Sequence, residues 1–386
     1  MSAPFSLYIH IPYCISKCPY CDFNSHVVPE IPEKQYSDAL LRELDHFGQL
    51  SDWQGRPAQS IFFGGGTPST FMPESIGRIL KQVAELFSVD PGCEITLEAN
   101  PGTVDQDNFF GYREAGVNRI SVGVQSFEPR LLKFLGRMHS ADDARTALHV
   151  VRKAGFENFS FDLIYANPGQ TLAELEADLD TALEFQSPHL SAYNLTFEEG
   201  TPFHHEYHAG RLRSLSEEEE IAMAELIENK LSGAGLKRYE ISNYAKPGRH
   251  SRHNVNYWRG GDYLGVGAGA HSYKSTDIDG VGGRRWSNEK NPGRYMALVD
   301  EASQAIVDRE QIDRAKAAGE FMFLGLRMTE GISTDSFSAG FGQSPAAYFP
   351  RIADWLEAEL MEERNGFLRL THKGMMVANS IFVEFI

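Results

Sequence analysis

The sequence has few cysteines, no long apolar run and too few basic residues to balance its acidic ones. Of its four cysteines in 386 residues, three are clustered and one is distant, which is not the disulfide framework of a small secreted domain. No stretch approaches the roughly 20 apolar residues of a membrane span, and we identify no signal peptide. The net charge of −17 disfavours nonspecific nucleic-acid binding. We therefore expect a cytoplasmic protein that binds no nucleic acid.

The three clustered cysteines are the most informative feature. Cys14, Cys18 and Cys21 have the spacing C-x3-C-x2-C. Three thiolates can hold three irons of a [4Fe–4S] cluster and leave the fourth iron open to another ligand. A structural zinc site would need a fourth ligand, and none follows at a matching spacing, since Cys93 is far along the chain. The pattern favours an iron–sulfur cluster over zinc or chance.

Short β-like runs alternate with helical patterns through the first 235 residues. The predicted strands are Leu7–Ile11, Ser60–Phe63, Glu94–Glu98, Arg119–Val124, Ser160–Ile164 and His189–Leu195. The predicted helices between or after them include Glu33–Phe47, Glu74–Phe87, Ala141–Ala154, Leu172–Phe185 and Glu217–Ser232. This α/β alternation predicts parallel strands joined by helical crossovers. Six such units suggest an incomplete (β/α)6 barrel.

Almost every predicted strand runs into polar or glycine-rich residues. In barrels of this type the active site lies at the carboxyl ends of the strands. Gly65, Gly66 and Thr67 could offer backbone and hydroxyl groups to a small polar cofactor, although an ordinary turn would look similar. Other polar groups at or just past strand ends could bind ribose hydroxyls or a carboxylate, or could be surface residues and helix caps: Glu98, Gln125, Arg137 and Asp162.

Residues 236–306 form a predicted connecting segment with few clear helices, rich in Gly, Tyr, His and Asn. Its run His253-Asn254-Val-Asn-Tyr257-Trp258 combines a histidine with aromatic residues, a composition that suits a porphyrin and its iron. A loop that closes the barrel with its own polar network explains the run equally well, and His139, His250 and His271 are further candidate haem ligands.

Residues 307–386 are predicted to form a small α+β domain, winged-helix-like in its element order. Its predicted helices include Gly319–Met328 and Ala346–Leu360, and a strand-like run from Gly366 leads into a last helix. Winged helices often bind DNA, but this segment has 8 Lys and Arg against 12 Asp and Glu. It therefore lacks the positive charge that DNA binding needs.

Together these motifs resemble the radical S-adenosylmethionine (SAM) superfamily, in particular the oxygen-independent coproporphyrinogen III oxidase family and its haem-chaperone branch, HemW. The cysteine run with Tyr20 before the last cysteine, and Gly64-Gly-Gly-Thr-Pro68, carry the superfamily resemblance. The resemblance extends nearly end to end, through Tyr8-Ile-His-Ile-Pro, Ser121-Val-Gly-Val-Gln-Ser-Phe and Leu135-Gly-Arg-Met-His. Phe23 stands where the oxidases carry a fourth cysteine, and the His-Asn-x-x-Tyr-Trp run resembles the haem-associated signature of the chaperones.

The resemblance implies a set of cofactors and residues that hold them. Cys14, Cys18 and Cys21 would ligate a [4Fe–4S] cluster, and His253 would be the haem candidate. The residues implied to contact SAM are Tyr8, Tyr20, Gly65, Gly66, Thr67, Glu98, Gln125, Arg137 and Asp162. In the oxidases, some positions equivalent to the last three serve a second SAM.

The resemblance also implies partners and a function. We expect a haem-trafficking protein that delivers haem to haem-requiring proteins, such as those of the respiratory chain. It would take electrons from a donor for its cluster and could contact a membrane peripherally. The alternatives are an oxidase that decarboxylates coproporphyrinogen III and a radical SAM methyltransferase. A purely structural iron–sulfur protein would not need the glycine-rich SAM segment.

Overall fold

Twelve strands form one sheet in this computed structural model, which describes residues 3–275 and 281–386. In chain order they are β1 Phe5–Ile11, β2 Pro57–Gly65, β3 Ser88–Ala99, β4 Arg119–Gln125, β5 Asn158–Tyr165, β6 His189–Asn194, β7 Lys237–Arg238, β8 Asn243–Ala245, β9 Tyr263–Val266, β10 His271–Ser275, β11 Gly283–Asn288 and β12 Ile306–Ile312. Their order across the sheet is β12-β11-β10-β9-β1-β2-β3-β4-β5-β6-β8-β7. Strands β1 to β6 are parallel. The predicted incomplete barrel is confirmed as an open α/β sheet.

Helices follow most of these strands. They are α1 Glu33–Gly48, α2 Pro73–Leu86, α3 Gln106–Ala115, α4 Pro129–Phe134, α5 Ala141–Lys153, α6 Leu172–Glu184, α7 Pro202–His208, α8 Glu217–Gly233, α9 Arg252–Trp258 and α10 Pro292–Ala302. Two single turns of 3₁₀ helix, Pro68–Thr70 and Pro101–Thr103, follow β2 and β3. Ser140, Thr171 and Ser216 begin α5, α6 and α8 with capping boxes, in which the acidic residue three positions on returns a hydrogen bond. These local signals explain why the crossovers start where they do.

The segment from residue 236 to 306 contributes more regular structure than the sequence predicts. Strand β9 pairs parallel with β1, and β10, β11 and β12 extend the sheet as antiparallel strands. Leu264 and Val266 of β9 are fully buried in the main core, so these short strands are set by tertiary packing. The division of the chain at residues 235 and 306 stays a prediction.

Strand β1 lies in the middle of the sheet and leads directly into the cysteine loop. It is bordered on one side by β2 and on the other by β9. Within the loop, the side-chain Nδ2 of Asn24 donates hydrogen bonds to the carbonyl oxygens of Ala268, at 2.9 Å, and of Lys290, at 3.0 Å. The loop is therefore anchored to the turns that follow strands β9 and β11.

The rest of the chain forms an α+β unit with a second apolar core around Met322, Phe337 and Ile381. Its elements are α11 Arg314–Gly325, β13 Ile332–Ser333, α12 Thr334–Phe341, α13 Pro345–Tyr348, α14 Ile352–Glu357, β14 Met361–Arg364, β15 Phe367–Leu370, α15 His372–Met376, α16 Ala378–Phe382 and the 3₁₀ turn Val383–Phe385. The strands form a small antiparallel sheet in the order β13-β15-β14. The helix predicted over 346–360 is instead α13 and α14, because Pro350 lies between them and lacks an amide donor. No helix in the described ranges is long and apolar enough to cross a membrane.

Candidate functional site

The carboxyl ends of β1 to β6 surround an open cleft of about 520 Å³. Among the predicted site residues that line it are Cys14, Cys18, Cys21, Tyr20, Gly65, Gly66, Thr67, Glu98, Gln125, Arg137 and Asp162. Parallel strands place their carboxyl ends at the same edge, which is why residues far apart in the chain meet here. Tyr8 and His253, the two remaining predicted residues, lie outside the cleft lining.

The three cysteines at the cleft are half-buried and carry free thiols. The Thr67 hydroxyl donates a hydrogen bond to Cys14 Sγ at 3.3 Å, and Arg137 Nη1 donates one to Cys18 Sγ at 3.5 Å. Both donors would stabilise negative charge on sulfur. No three His, Cys, Asp or Glu side chains in the described residues are arranged around a single metal ion.

The glycine-rich turn after β2 lies against the cysteine loop with no room for side chains. Gly65 has a φ of 114°, a left-handed conformation that glycine adopts without strain. A Cβ at Gly66 would lie 2.6 Å from the Tyr13 carbonyl oxygen. The Gly66 amide donates to the Ile11 carbonyl and the Thr67 amide to the Tyr13 carbonyl, each at 2.8 Å. The glycines therefore let the turn pack directly on the backbone that leads into the cysteines.

Two carboxyl groups at the cleft carry raised pKa values. Burial, with the neighbouring charge of Asp162, raises the pKa of Glu98 to about 8. Burial raises the pKa of Asp162 to about 6, although a hydrogen bond with Ser191 and the charges of Arg119 and Arg137 oppose the shift. Glu98 Oε2 also accepts a hydrogen bond from the Gly65 amide at 3.2 Å. A ligand that brings positive charge or hydroxyl donors into the cleft would favour the ionised form of both groups.

Gln125 and Arg137 line the cleft on the side of β4. Gln125 has a φ of 74°, which is unusual for a residue with a side chain, and it follows a bulge in the pairing of β4 with β5. Arg137 Nη2 donates to the Gly123 carbonyl at 2.7 Å, so the guanidinium is held between β4 and the cysteine loop. Strained backbone of this kind is typical of binding sites.

Tyr8 supports the site from beneath instead of lining it. Its hydroxyl forms a 3.0 Å hydrogen bond with His10 Nδ1, and His10 Nε2 bonds to the carbonyl oxygen of Asn24 at 2.9 Å. Because the Asn24 carbonyl can only accept, Nε2 carries the proton and Nδ1 accepts from Tyr8. Both ring nitrogens of His10 are thus used in the core, which leaves neither for a metal. Tyr20, in contrast, lines the cleft beside Arg137.

His253 is buried, with 1% of its surface exposed, and the structure does not bring it to the cleft. Its Nδ1 lies 3.0 Å from the Ser60 hydroxyl and its Nε2 lies 2.9 Å from the Tyr257 hydroxyl. Its ring stacks on Phe62 with centroids 4.9 Å apart. Burial lowers the pKa of His253 to about 3, so the ring is neutral and both nitrogens are used. In this conformation neither nitrogen is free to ligate iron.

The other candidate histidines are scattered. His139 is buried, and its Nε2 bonds to the Val124 carbonyl at 3.0 Å. His250 is exposed and stacks on Tyr239 with centroids 4.2 Å apart, and His271 is exposed at the start of β10. The structure brings none of these three to the cleft lining.

Several cleft residues were missed by the sequence reasoning. Lys17 and Asp22 belong to the cysteine loop, and Ser121, Glu198 and Thr196 lie on or after strands β4 and β6. Ser121 points to the cleft from the interior of a strand, and only the alternation of side chains along β4 could have indicated it.

The chain is similar to known proteins over nearly its whole length. A model of the radical SAM superfamily matches residues 8–182, and a model of the HemN C-terminal domain matches residues 312–377. Proteins called heme chaperone HemW match the chain nearly end to end: the one from Bacillus subtilis is 36% identical over 99% of both chains, and the one from Escherichia coli is 37% identical over 99% of this chain and 98% of its own. The solved structure of coproporphyrinogen III oxidase (HemN) from Escherichia coli superposes with a TM-score of 0.83 at 24% identity, covering 99% of this chain and 90% of that one, which shows a shared fold.

Proposed function

Because the chain belongs to the HemW family of the radical SAM superfamily, we propose that it is a haem chaperone that holds a [4Fe–4S] cluster and SAM in the cleft and delivers haem to haem-requiring proteins. Cys14, Cys18 and Cys21 would bind the cluster. The observation that carries this assignment is the placement of three free thiols at the mouth of a cleft with an acidic floor.

The cluster assignment is supported by the donors around the sulfur atoms. A cluster held by three thiolates keeps one iron without a protein ligand, and that iron can bind SAM and pass it one electron. Thr67 and Arg137 donate to the sulfur atoms of Cys14 and Cys18 and would offset the negative charge of the thiolates. An electron donor for the cluster would therefore be a partner.

The SAM assignment is supported by the chemistry of the cleft wall. Glu98 and Asp162 would accept hydrogen bonds from ribose hydroxyls or the amino group, and their ionised forms would attract the sulfonium charge. The glycine turn brings the backbone of Gly65 and Gly66 to the cleft without side chains. Gln125 would contribute its side-chain amide from a fixed, strained backbone.

The haem-chaperone assignment rests on the family and on Phe23. Relatives that are 36% and 37% identical over nearly the whole chain are called heme chaperones. Phe23 is 60% exposed and stands where the oxidases are expected to carry a fourth cysteine. His253 would reach a haem iron only after its hydrogen bonds to Ser60 and Tyr257 break, so its role as ligand stays a prediction.

The test is an anaerobic titration of haem into the reconstituted full chain, followed by the Soret band. We expect saturable binding at one haem per chain, together with SAM binding that depends on the cluster. The same preparation is incubated with coproporphyrinogen III and reductant, and we expect no divinyl product. Unsaturable haem binding together with divinyl product would replace the chaperone with the oxidase. Formation of S-adenosylhomocysteine would instead favour a methyltransferase.

A further inference from the structure

The end of β4 departs from the regular pairing of the parallel strands. Val122 pairs with Phe161 of β5, and the next residue of β4 to pair is Gln125, with Leu163. Two residues of β4 therefore lie opposite the single residue Asp162, which makes this irregularity a β-bulge. Bulges re-aim side chains and are frequent beside binding sites. This one lies opposite a carboxyl group that lines the cleft.

Gln125 follows the bulge with a left-handed backbone, and its side-chain amide lies against Gly123. Its φ is 74°, a conformation that a residue with a side chain keeps only where the surrounding structure enforces it. A Cβ at Gly123 would lie 2.9 Å from Gln125 Nε2 and 3.6 Å from Arg137 Nη2. All three residues line the cleft. The lack of a side chain at Gly123 therefore leaves the space that the Gln125 amide occupies beside the cleft.

Asp178 of α6 holds the chain immediately after Gln125. Asp178 is buried, and its Oδ2 accepts a hydrogen bond from the Ser126 hydroxyl at 2.6 Å. Its Oδ1 accepts a second one from the Phe127 amide at 2.7 Å. The Ser126 hydroxyl itself accepts from the Glu128 amide at 3.0 Å. Both carboxylate oxygens of Asp178 are thus used to fix the turn that follows the bulge.

His139, two residues before α5, holds the chain immediately before Gln125. Its Nε2 lies 3.0 Å from the Val124 carbonyl oxygen, and because a carbonyl can only accept, Nε2 carries the proton and donates. Burial, with the neighbouring charge of Arg137, lowers the pKa of His139 to about 4, so the ring is neutral. Arg137 Nη2 donates to the Gly123 carbonyl at 2.7 Å. The residues on both sides of Gln125 are therefore held by side chains from outside β4.

We infer that Asp178 and His139 are positioning residues for SAM, which hold the left-handed backbone of Gln125 from both sides so that its side-chain amide faces the cleft. Neither Asp178 nor His139 lines the cleft, so their effect on a ligand passes through Gln125. This inference rests on the proposed function, in which Gln125 contacts SAM. It also gives the buried ring of His139 a role in the SAM site in place of haem ligation.

The experiment is a double-mutant cycle on SAM affinity, measured by calorimetry on the anaerobically reconstituted full chain. A residue that acts through Gln125 has no further effect once the Gln125 amide is removed. We expect Gln125→Ala and Asp178→Ala each to weaken SAM binding by about threefold to tenfold, which corresponds to one hydrogen bond. The double variant should bind SAM no more weakly than either single variant.

The outcomes of the cycle are distinct. Wild-type affinity in either single variant, or losses that multiply in the double variant, would overturn the inference while leaving SAM binding in place. Absence of SAM binding by the wild-type chain would instead remove the proposed function itself.

His139 provides a second test that removes no buried charge. We expect His139→Leu, which cannot donate to the Val124 carbonyl, to weaken SAM binding by a similar factor, and only when Gln125 is present. His139→Gln keeps a side-chain nitrogen that can donate, and it should restore most of the affinity. Circular dichroism checks that each variant folds, and if Asp178→Ala does not fold, the two His139 variants carry the test. Equal SAM affinity in both His139 variants would overturn the role of His139.

Asp262 is the control that separates positioning from a general loss of stability. Like Asp178 it is a buried carboxylate that accepts from a backbone amide, that of Ser275 at 2.7 Å, but it lies outside the cleft lining. We expect Asp262→Ala to unfold at lower urea concentration and to leave the SAM affinity of the folded protein unchanged. Equal losses of SAM affinity in Asp262→Ala and Asp178→Ala would overturn the inference, because reduced stability alone would then explain both.

Discussion

The strained backbone of Gln125 predicts that glycine and alanine at this position differ in stability to unfolding but not in SAM binding. Its φ of 74° places a residue with a side chain in the left-handed region, at a cost of roughly 1–2 kcal/mol. Glycine adopts this region freely but has about 0.5–1 kcal/mol more conformational entropy to lose on folding. We therefore expect Gln125→Gly to be more stable to unfolding than Gln125→Ala by about 0.5–1 kcal/mol.

The two variants should bind SAM alike, because both lose the side-chain amide. One hydrogen bond corresponds to a loss of about threefold to tenfold in affinity. Urea unfolding gives the stability difference and calorimetry the affinities. Ser303, exposed at the end of α10 with a φ of 58°, is the control. Ser303→Gly should be more stable to unfolding than Ser303→Ala by a similar amount, and neither variant should change SAM binding. If the glycine variant at 125 is the less stable of the two, the backbone there is not strained and the reasoning is wrong.

Three further predictions concern other groups. The affinity for SAM should rise between pH 6 and pH 9, because Glu98, with a pKa of about 8, loses its proton over this range. Glu98→Gln should flatten the upper part of the curve. If the rise persists in the variant, another group is responsible for it. Cys14→Ser should lower the iron and sulfide content and the visible absorbance after reconstitution. Cys93→Ser, which changes a buried thiol away from the cleft, should leave the iron and sulfide content and the absorbance intact. Equal loss in the two variants would contradict the ligand assignment. Asp262→Asn should destabilise the fold by about 3–5 kcal/mol in urea, because it leaves the buried Arg56, 2.8 Å away, without its counter-charge, and a loss below about 1 kcal/mol would refute this.

The parallel part of the sheet and the composition of the cleft could be predicted because their signals are local. Each parallel strand is a short apolar run, and the chemistry-bearing residues follow it directly in the sequence, as Glu98 does at the end of β3. Because parallel strands bring their carboxyl ends together, the residues at the predicted strand ends are expected to lie in the same cleft. Tyr8 lies outside the cleft lining, so its contact with SAM stays a prediction.

A second cavity, of about 600 Å³ and separate from the cleft, could not be predicted in this way. Its walls come from α9, from strands β9 to β11 and from α11. Contacts between residues far apart in the chain, such as the pairing of β9 with β1, bring these elements together. Strand β9 has four residues and β8 has three, too few for a periodic pattern. The orientation of His253 also depends on Ser60 and Tyr257, contacts that span 193 and 4 positions of the chain. Sequence spacing indicated the aromatic run but not which of its members lines the cavity.

The central position of β1 has a consequence for the order in which the chain can fold during synthesis. Strand β1 and the cysteine loop leave the ribosome well before β9, which is one neighbour of β1, and before Ala268 and Lys290, whose carbonyls hold Asn24 of the loop. Contacts of this sequence separation close late, because the long intervening chain must be ordered first. The cysteines therefore remain incompletely anchored until the chain has been made as far as Lys290, and insertion of the proposed cluster belongs late in folding.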